Sequence, residues 1–391
     1  MNEMLINADI TGAPAILGNH HRPEFIVVWK DGSDHGIKGA RYQASGAKIG
    51  DDFTVNAAGD PSPRSPAIAQ IGDLTLGGFV VGWISAGNVF LQRFTDQGER
   101  SGAVIQVNTT ATAPEEKQPA ITRLMSGRVV VSWGQGSGIR AQIFRQDGTR
   151  AGPEISVNTS DGTHFFPAIT QLGGGGFVIA WQANPFAPGG SPRLQMFNPD
   201  GTKSRGEQRP THGVGLGQST LTFVTSSDVE PADFVNVALS SAGTSGEPDE
   251  VKIVVAQLFG PDGALKMSVN LTHRDDLTVS SSPAVVALPA GGLVAAWSET
   301  RVPTSGMFDH NIKATLMQVG SNHTEDILVA SEGGLKIDTG RPETPKDRDS
   351  PCLAAMGENG ELIAIAWVEQ NLAPPFPRPV IKARILSSQL R

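Results

Sequence analysis

One phrase recurs along the chain, and all but one of its copies end at a tryptophan. Copies such as "LGGFVVGW", "SGRVVVSW" and "AGGLVAAW" account for all six tryptophans, which are Trp29, Trp83, Trp133, Trp181, Trp297 and Trp367. Most intervals between them are about 50 residues, a period typical of repeat architectures. The interval from Trp181 to Trp297 is about twice as long, and a weaker copy inside it has Ala238 at the tryptophan position. The chain therefore contains seven copies of one unit.

Each copy contains four short apolar runs. The fullest copy, from Gln118 to Thr159, reads "PAITRL", "RVVVSW", "GIRAQIF" and "PEISVN" between polar turns. Runs of this length that are rich in Val, Ile and Phe predict β-strands. An Asp-Gly pair follows the third run at Gly148, Gly201 and Gly263, and such pairs accept the positive φ of two-residue hairpins. Each copy is therefore predicted to be a four-stranded antiparallel sheet.

Seven such sheets predict a single-domain, all-β fold, a seven-bladed β-propeller. The expected blades are residues 13–57, 65–110, 118–160, 166–211, 218–272, 282–331 and 350–391, the last together with 1–8. The last copy lacks a fourth strand, and the N-terminal "EMLINA" matches the missing one. We therefore expect Met4 to Asn7 to pair with Ile381 to Leu386 and to close the ring.

The combined pattern of "GGFVVxW", "AQxF", "DG" and "VNT" resembles a repeat of large bacterial secreted proteins, many of them of the type I-secreted, RTX-like kind. The resemblance covers nearly the whole chain and implies a propeller fold and an extracellular or cell-surface location. The calcium-binding nonapeptides "GGxGxDxUx" of those larger proteins are not present in this sequence. Calcium is therefore not part of what the resemblance implies.

Charge and composition narrow the classes of partner. The formal net charge is -8 and the pI is about 5.5, which argues against nucleic acid as the main partner because phosphate binding needs a basic face. No apolar run reaches the roughly 18 residues of a membrane span. The N-terminus lacks the pattern of a cleavable signal, so export would use another route, with the cytoplasm as the alternative. The single cysteine, Cys352, excludes an internal disulfide, and we expect it to be a small core residue.

Residues that recur in most copies are expected to serve the architecture. The tryptophans lie in strand-like apolar runs, so we expect them to pack between blades. Asparagines at the ends of the fourth strands are expected to cap turns. They are Asn7, Asn56, Asn108, Asn158 and Asn270. A set of cations shares the start of the third strand and could attract an anion, although long side chains covering strand edges explain it as well. These cations are Lys38, Arg140, Arg193, Lys313 and Lys382.

Residues that break the repeat are the better candidates for a binding site. If the first strands are innermost, the loops from strand two to strand three and the connections between blades form one rim, here called the upper rim. Five histidines map to it: His35, His164, His212, His273 and His310. Its loops are longest in blades 4 to 7, where binding residues are commonly placed. The candidate binding residues there are His212, His273, Arg274, Asp275, Asp276, Arg301, His310, Arg341 and Arg348.

The sequence leaves three functions open. The preferred one is a non-catalytic module that recognises a saccharide or a protein surface through the upper rim. The second is a polysaccharide lyase or glycoside hydrolase, in which histidine, arginine and carboxylates would supply the base and stabilise charge. The third is a structural subunit of a larger assembly. No close pair of histidines suggests a metal site, and no motif for a phosphate, a dinucleotide or an acyl-enzyme is present in a suitable context, so neither a metal nor a cofactor is expected.

Overall fold

The computed structural model consists of strands, turns and loops. It describes residues 3–72, 77–109, 118–184, 191–209, 219–223, 234–241, 252–272, 278–289, 292–301, 309–322, 325–330, 335–336, 346–358, 360–371 and 379–387. No helix occurs in these residues. Accordingly, this part of the chain offers no apolar helix that could cross a membrane.

The first half of the chain begins with strand β1 (Met4–Ala8) and continues through four blades. Blade 1 contains β2 (Ala15–Gly18), β3 (Glu24–Lys30), β4 (Ile37–Gln43) and β5 (Lys48–Thr54). Blade 2 contains β6 (Arg64–Gln70), β7 (Phe79–Ser85), β8 (Asn88–Phe94) and β9 (Arg100–Gln106). Blade 3 contains β10 (Ala120–Arg123), β11 (Val129–Gln135), β12 (Gly138–Phe144) and β13 (Ile155–Ser156). Blade 4 contains β14 (His164–Gln171), β15 (Phe177–Ala183) and β16 (Ser191–Phe197).

The second half forms three further blades. Blade 5 contains β17 (Ser219–Phe223), β18 (Phe234–Ser241), β19 (Lys252–Phe259) and β20 (Leu265–Asn270). Blade 6 contains β21 (Thr278–Ala287), β22 (Leu293–Arg301), β23 (Asp309–Asn322), β24 (Glu325–Ala330) and β25 (Leu335–Lys336). Blade 7 contains β26 (Lys346–Met356), β27 (Leu362–Asn371) and β28 (Val380–Ser387), and β1 completes it.

The strands of each blade pair antiparallel and in chain order. The fourth strand of blade 4 is reduced to the bridges Leu194–Gln208 and Phe197–Lys203, and blade 6 carries β25 as an extra strand on β23. The first strands of neighbouring blades lie side by side around the whole ring, in the order β2, β6, β10, β14, β17, β21, β26 and again β2. The prediction of a seven-bladed propeller is therefore confirmed, with the first strands innermost.

The ring closes where the sequence predicts. Strand β1 pairs with β28 in the register Met4–Ala383, Leu5–Lys382, Asn7–Ile381 and Ala8–Val380. The hydroxyl of Tyr42, the only tyrosine of the chain, donates a hydrogen bond to the carbonyl of Ile6 over 3.0 Å. Burial, with a smaller contribution from Asp52, raises the pKa of Tyr42 to about 12, so the phenol stays protonated and able to donate. The N-terminal strand is thus held by both blade 7 and blade 1.

The tryptophan of each blade packs against the preceding blade. All six are at most 1% exposed. Trp133 shares a core cluster with Val89 and Leu91 of blade 2, and Trp29 shares one with Ile381 of blade 7. At the interface of blades 4 and 5, where Ala238 replaces the tryptophan, Phe234 and Phe259 supply the aromatic packing instead. The expectation that the tryptophans pack between blades is confirmed.

A polar side chain after the fourth strand fastens the start of the third strand. The amide oxygens of Asn56, Asn108 and Asn158 accept hydrogen bonds from the backbone N–H groups of Ile37, Val89 and Ile139 over 2.7, 2.9 and 2.8 Å. These asparagines therefore hold a strand end, which corrects the expectation that they cap a turn. In blade 5 the hydroxyl of Thr272 has this role towards Val254. Asn270 ends β20 as predicted, but it pairs with Val255 inside the sheet.

The Asp-Gly turns have the left-handed glycine that the sequence predicts, in a longer loop than expected. Gly148 has φ +88° and Gly201 has φ +90°. The N–H of Gly148 donates to the carbonyl of Arg145, and the N–H of Arg145 donates to the carbonyl of Thr149. This pattern is a three-residue hairpin with the glycine in its last position, so the expectation of a two-residue hairpin was wrong.

A carboxylate ties the fourth blade to the third. Glu207 accepts four hydrogen bonds, from the N–H and hydroxyl of Thr159 over 2.7 and 3.0 Å and from the N–H and hydroxyl of Ser160 over 3.0 and 2.5 Å. Burial alone would raise the pKa of Glu207, but these bonds outweigh it and hold the pKa below its usual value. Glu154 accepts the equivalent bonds from Thr109 one blade earlier. The contact is therefore a repeated link between blades.

Removal of residues 1–8 is expected to lower the melting temperature by at least a few degrees, although each kcal/mol lost shifts it by only about 2–4 °C in a domain of 150–250 residues and by less in a longer chain. The loss exposes the edge of β28 and leaves the hydroxyl of Tyr42 without its acceptor. Tyr42→Phe, which leaves β1 in place, should cost about 1 kcal/mol. Circular dichroism melting measures both, and an unchanged melting temperature of the deletion variant would contradict closure by β1.

Glu207→Gln is expected to lower stability at neutral pH and to lose this effect in acid. A carboxyl group with a lowered pKa stabilises the fold above its unfolded pKa of about 4.3, and that stability disappears as the pH falls through the folded value. The difference in melting temperature between Glu207→Gln and the parent protein should therefore shrink below about pH 4. Glu99→Gln, at an exposed glutamate, is the control and should show no such trend. A difference that stays constant from pH 7 to pH 3 would disprove the role given to Glu207.

Candidate functional site

The tryptophans of the upper rim cannot serve as stacking platforms for a ligand. Besides being buried, three of them use their indole N–H groups inside the protein. Trp83 donates to Asp60 over 2.9 Å, Trp133 to Gln135 over 3.2 Å and Trp181 to Nδ1 of His164 over 3.0 Å. His164 is itself fully buried, and its Nε2 contacts the carbonyl of Ser160 over 3.0 Å. This upper-rim histidine is therefore part of the packing between blades.

The cations at the start of the third strands share one register position, as predicted. Each pairs with the tryptophan of its own blade: Lys38, Arg140, Arg193, Lys313 and Lys382. Three of them lie beside a carboxylate, with Lys38–Asp34 at 2.7 Å, Lys313–Glu299 at 3.7 Å and Arg193–Glu207 at 3.8 Å. The bond from Lys38 lowers the pKa of Asp34. In these three blades the neighbouring carboxylate offsets the positive charge that would attract an anionic ligand.

The predicted upper-rim site lies mostly outside the described residues. This applies to His212, His273, Arg274, Asp275, Asp276 and Arg341. Of Arg301 and Arg348 only the backbone is described: Arg301 ends β22 and pairs with Asp309, and Arg348 lies in β26 and pairs with Glu369. His310 lies one residue after Asp309, and its Nδ1 contacts the hydroxyl of Thr300 over 3.0 Å. The structure thus brings Arg301 and His310 to the same end of blade 6, on paired strands.

A pocket opens on the opposite side of the ring, between blades 1 and 2. It is on the lower rim, formed by the hairpins from strand one to strand two and the turns from strand three to strand four. The pocket is a shallow cleft with a cavity volume of about 40 Å³, open to solvent on one side. Its lining residues, which define the blade 1–2 pocket, are Leu17, Gly18, Asn19, Glu24, Phe25, Ile26, Arg41, Gln70, Gly77, Gly78, Phe79 and Asp96.

Arg41 of this pocket stands where most other blades have an apolar residue. It pairs with Ile26, three residues before the tryptophan. The same pairing position is apolar in five blades, occupied by Ile143, Met196, Leu258, Leu316 and Ile385. Glu24 lies five residues before its tryptophan, a position that is glycine in three other copies and charged in two, as Arg128 and Asp233. Architecture that repeats seven times does not require an arginine at this interface, so Arg41 is a candidate for a local function.

Ion pairs hold the charged side chains of the pocket in place. Arg22, at the pocket edge, lies 3.1 Å from the carboxylate of Asp96 and 3.8 Å from that of Glu24. Arg41 lies 3.9 Å from Glu24 and donates to the carbonyl of Gln97 over 3.1 Å. The side chain of Arg41 is 12% exposed and that of Asp96 is 37% exposed. Arg41 and the two carboxylates therefore line the opening, and Arg22, which does not line it, balances the remaining negative charge through its ion pairs with them.

Backbone and aliphatic groups form the rest of the pocket. Leu17 and Ile26 are half-buried and present apolar surface, while Phe25 and Phe79 lie fully buried behind them. Blade 2 contributes the pair Gly77–Gly78, which adds no side chain to the opening. A Cβ on Gly78 would lie 1.8 Å from the carbonyl oxygen of Phe94, so this position cannot carry a larger residue in this backbone. Gly78 is thus required by the close approach of the β7 and β8 strands, as Gly176 is in blade 4, and the glycine pair leaves backbone atoms at the pocket wall.

The sequence predictions placed the binding site on the upper rim, which has the longest loops and five of the histidines, so they did not include the lower rim. A signal was nevertheless present: with the copies aligned on their tryptophans, Arg41 and Arg93 stand out at a position that is otherwise apolar.

The described residues show neither a metal-binding cluster nor a reactive thiol. They contain no group of three or more His, Cys, Asp or Glu that could hold a metal ion. Burial raises the pKa of the Cys352 thiol to about 12, and its Sγ contacts the carbonyl of Ala366, so it is not a nucleophile at neutral pH.

Comparisons with known proteins find similarity in structure. No protein-family model matches the chain, and no curated protein matches it. The chain is similar to the BP39L lectin from Burkholderia pseudomallei, with a TM-score of 0.59 and 13% identity over 97% of this chain and 97% of that chain. It is also similar to the polysaccharide lyase Uly1, with a TM-score of 0.50 and 9% identity over 95% of this chain and 90% of that chain. At these identities the comparisons establish the propeller fold alone.

Proposed function

We propose that the protein is a non-catalytic carbohydrate-binding propeller whose described binding site is the blade 1–2 pocket. The observation that carries this proposal is Arg41, which stands at a position that is apolar in five other blades and lines this pocket together with the carboxylates of Glu24 and Asp96. Carboxylates accept hydrogen bonds from hydroxyl groups, and arginine donates to hydroxyl and ring oxygens. The half-buried Leu17 and Ile26 offer an apolar surface to the C–H face of a sugar ring. This combination of few fixed polar groups with an apolar wall is typical of small-molecule sites.

The charge balance favours a neutral sugar as ligand. The two arginines and two carboxylates compensate one another, so neither an anion nor a cation gains much from the pocket as a whole. Hydroxyl groups need donors and acceptors close together, and the pocket supplies both already oriented by their ion pairs. Two propellers similar to this chain are described as a lectin and as a polysaccharide lyase, which supports the use of this scaffold for carbohydrates.

We separately propose that the upper rim binds a saccharide or a protein surface. It rests on the loop lengths and on the residues His212, His273 and Arg274, which lie outside the described residues. An enzymatic role there, as a lyase or glycoside hydrolase, would consume the glycan. Chromatography of each glycan after overnight incubation with the protein separates the two roles, because a binding module returns the glycan at its original length.

Arg41→Ile is expected to weaken sugar binding at least about tenfold, since a lost hydrogen bond to a charged group costs about 1.5–3 kcal/mol. Isoleucine is an apolar residue of the kind found at this position in five other blades, so the fold should be retained. The probes are glucose, galactose, mannose, fucose and N-acetylglucosamine, each titrated by calorimetry. Glu24→Gln tests the acceptor side in the same way.

Arg128→Ala is the matched control. Arg128 donates to the carbonyl of Pro199 over 3.3 Å, as Arg41 does to the carbonyl of Gln97, but it does not line the pocket. This variant should therefore bind the sugars like the parent protein. The proposal fails if none of the five sugars binds the parent protein, or if Arg41→Ile binds them unchanged.

A further inference from the structure

A second pocket lies on the other side of blade 2, on the same lower rim. Its cavity volume is about 350 Å³, and it is open to solvent on one side. Its lining residues, which define the blade 2–3 pocket, are Ile71, Gly72, Gly77, Gly78, Arg93, Phe94, Thr95, Asp96, Ser101 and Gln146. Three of them, Gly77, Gly78 and Asp96, also line the blade 1–2 pocket. The two pockets are therefore adjacent, and blade 2 is their common wall.

Among the described residues, the wall that the two pockets share consists of two glycines and Asp96. Gly77 and Gly78 add no side chains, and Gly72, at φ +83°, packs so closely that a Cβ on it would lie 2.7 Å from the Cα of Gly77. The one side chain shared by the two pockets is the half-exposed carboxylate of Asp96. A ligand that occupies one pocket can therefore extend over this wall into the other and hydrogen-bond to Asp96 on the way.

Each of the two pockets contains an arginine at a position that is apolar in the other five blades. Arg93 pairs with Val80 in blade 2 as Arg41 pairs with Ile26 in blade 1. Each donates to the carbonyl of a turn in the next blade, Arg93 to Asp147 over 2.8 Å and Arg41 to Gln97 over 3.1 Å. No other blade has a cation at this position. Arginine is thus confined to two consecutive interfaces, the two that line the adjoining pockets.

We propose that the two pockets form one binding groove for an oligosaccharide of two or more units that crosses the lower edge of blade 2. This inference rests on the proposed function and specifies its ligand class. Neighbouring sheets pack about 10 Å apart, so contact with both interfaces needs a ligand longer than one sugar ring. Beyond Asp96, the blade 2–3 pocket offers hydroxyl and amide groups from Thr95, Ser101 and Gln146, which suit further sugar hydroxyls.

The test compares the affinities of the protein for saccharides of increasing chain length. The parent protein is titrated by calorimetry with glucose and mannose and with cello-, malto- and manno-oligosaccharides of two to four units. For the series that binds, the affinity of the oligosaccharide should exceed that of its monosaccharide at least tenfold. In the double variant Ser101→Ala/Gln146→Ala, which alters the far pocket, this ratio should fall towards one. Arg128→Ala, outside both pockets, should keep the ratio of the parent protein.

Each negative outcome points to a different failure. A ratio near one in the parent protein overturns the extended groove but leaves the single sugar site of the proposed function intact. A high ratio that survives Ser101→Ala/Gln146→Ala also overturns the groove, because the gain then arises elsewhere. No binding of any monosaccharide or oligosaccharide overturns both. Circular dichroism of every variant confirms that a lost ratio is not a lost fold.

Discussion

The structure depends on one contact made again and again, the packing of a tryptophan of one blade into the face of the preceding blade. A propeller blade is a small sheet with two apolar faces, and it is stable only when both are covered. Trp133 against blade 2 and Trp29 against blade 7 show that this contact also spans the point where the chain ends meet. Truncation of such a buried aromatic residue typically costs about 3–5 kcal/mol, so the repeated phrase marks the main source of cohesion.

Polar residues of the repeat complete this framework rather than a binding site. Asn56 and its equivalents hold the third strands, and buried glutamines such as Gln92 donate to the backbone of the fourth strand. Glu154 and Glu207 tie neighbouring blades together. Because each of these groups satisfies a backbone or side-chain partner, it recurs wherever the same geometry recurs. Function must then be sought in residues that do not recur.

The lower-rim charges meet this criterion. Arg41 and Arg93 occupy a position that is apolar in the other blades, and a buried apolar position is the cheaper choice for stability. Their cost is offset by the ion pair of Arg41 with Glu24 and by bonds from both arginines to turn carbonyls of the next blade. The arrangement leaves donors and acceptors at the mouths of two adjoining pockets that share two glycines and Asp96. The proposed groove for a hydroxyl-rich ligand rests on this placement.

The strands, the number of blades and the closure by β1 were predictable from the sequence. These features follow from a local pattern, alternation and turn residues repeated at one period, and local patterns can be counted without knowing how sheets pack. The length of the Asp-Gly hairpins was not predictable in this way, because turn geometry depends on hydrogen bonds between strands. The candidate site on the lower rim became visible only in the folded chain. Arg22 and Asp96 meet across 74 residues of sequence, and only the packing of blade 1 on blade 2 brings their charges to the same opening.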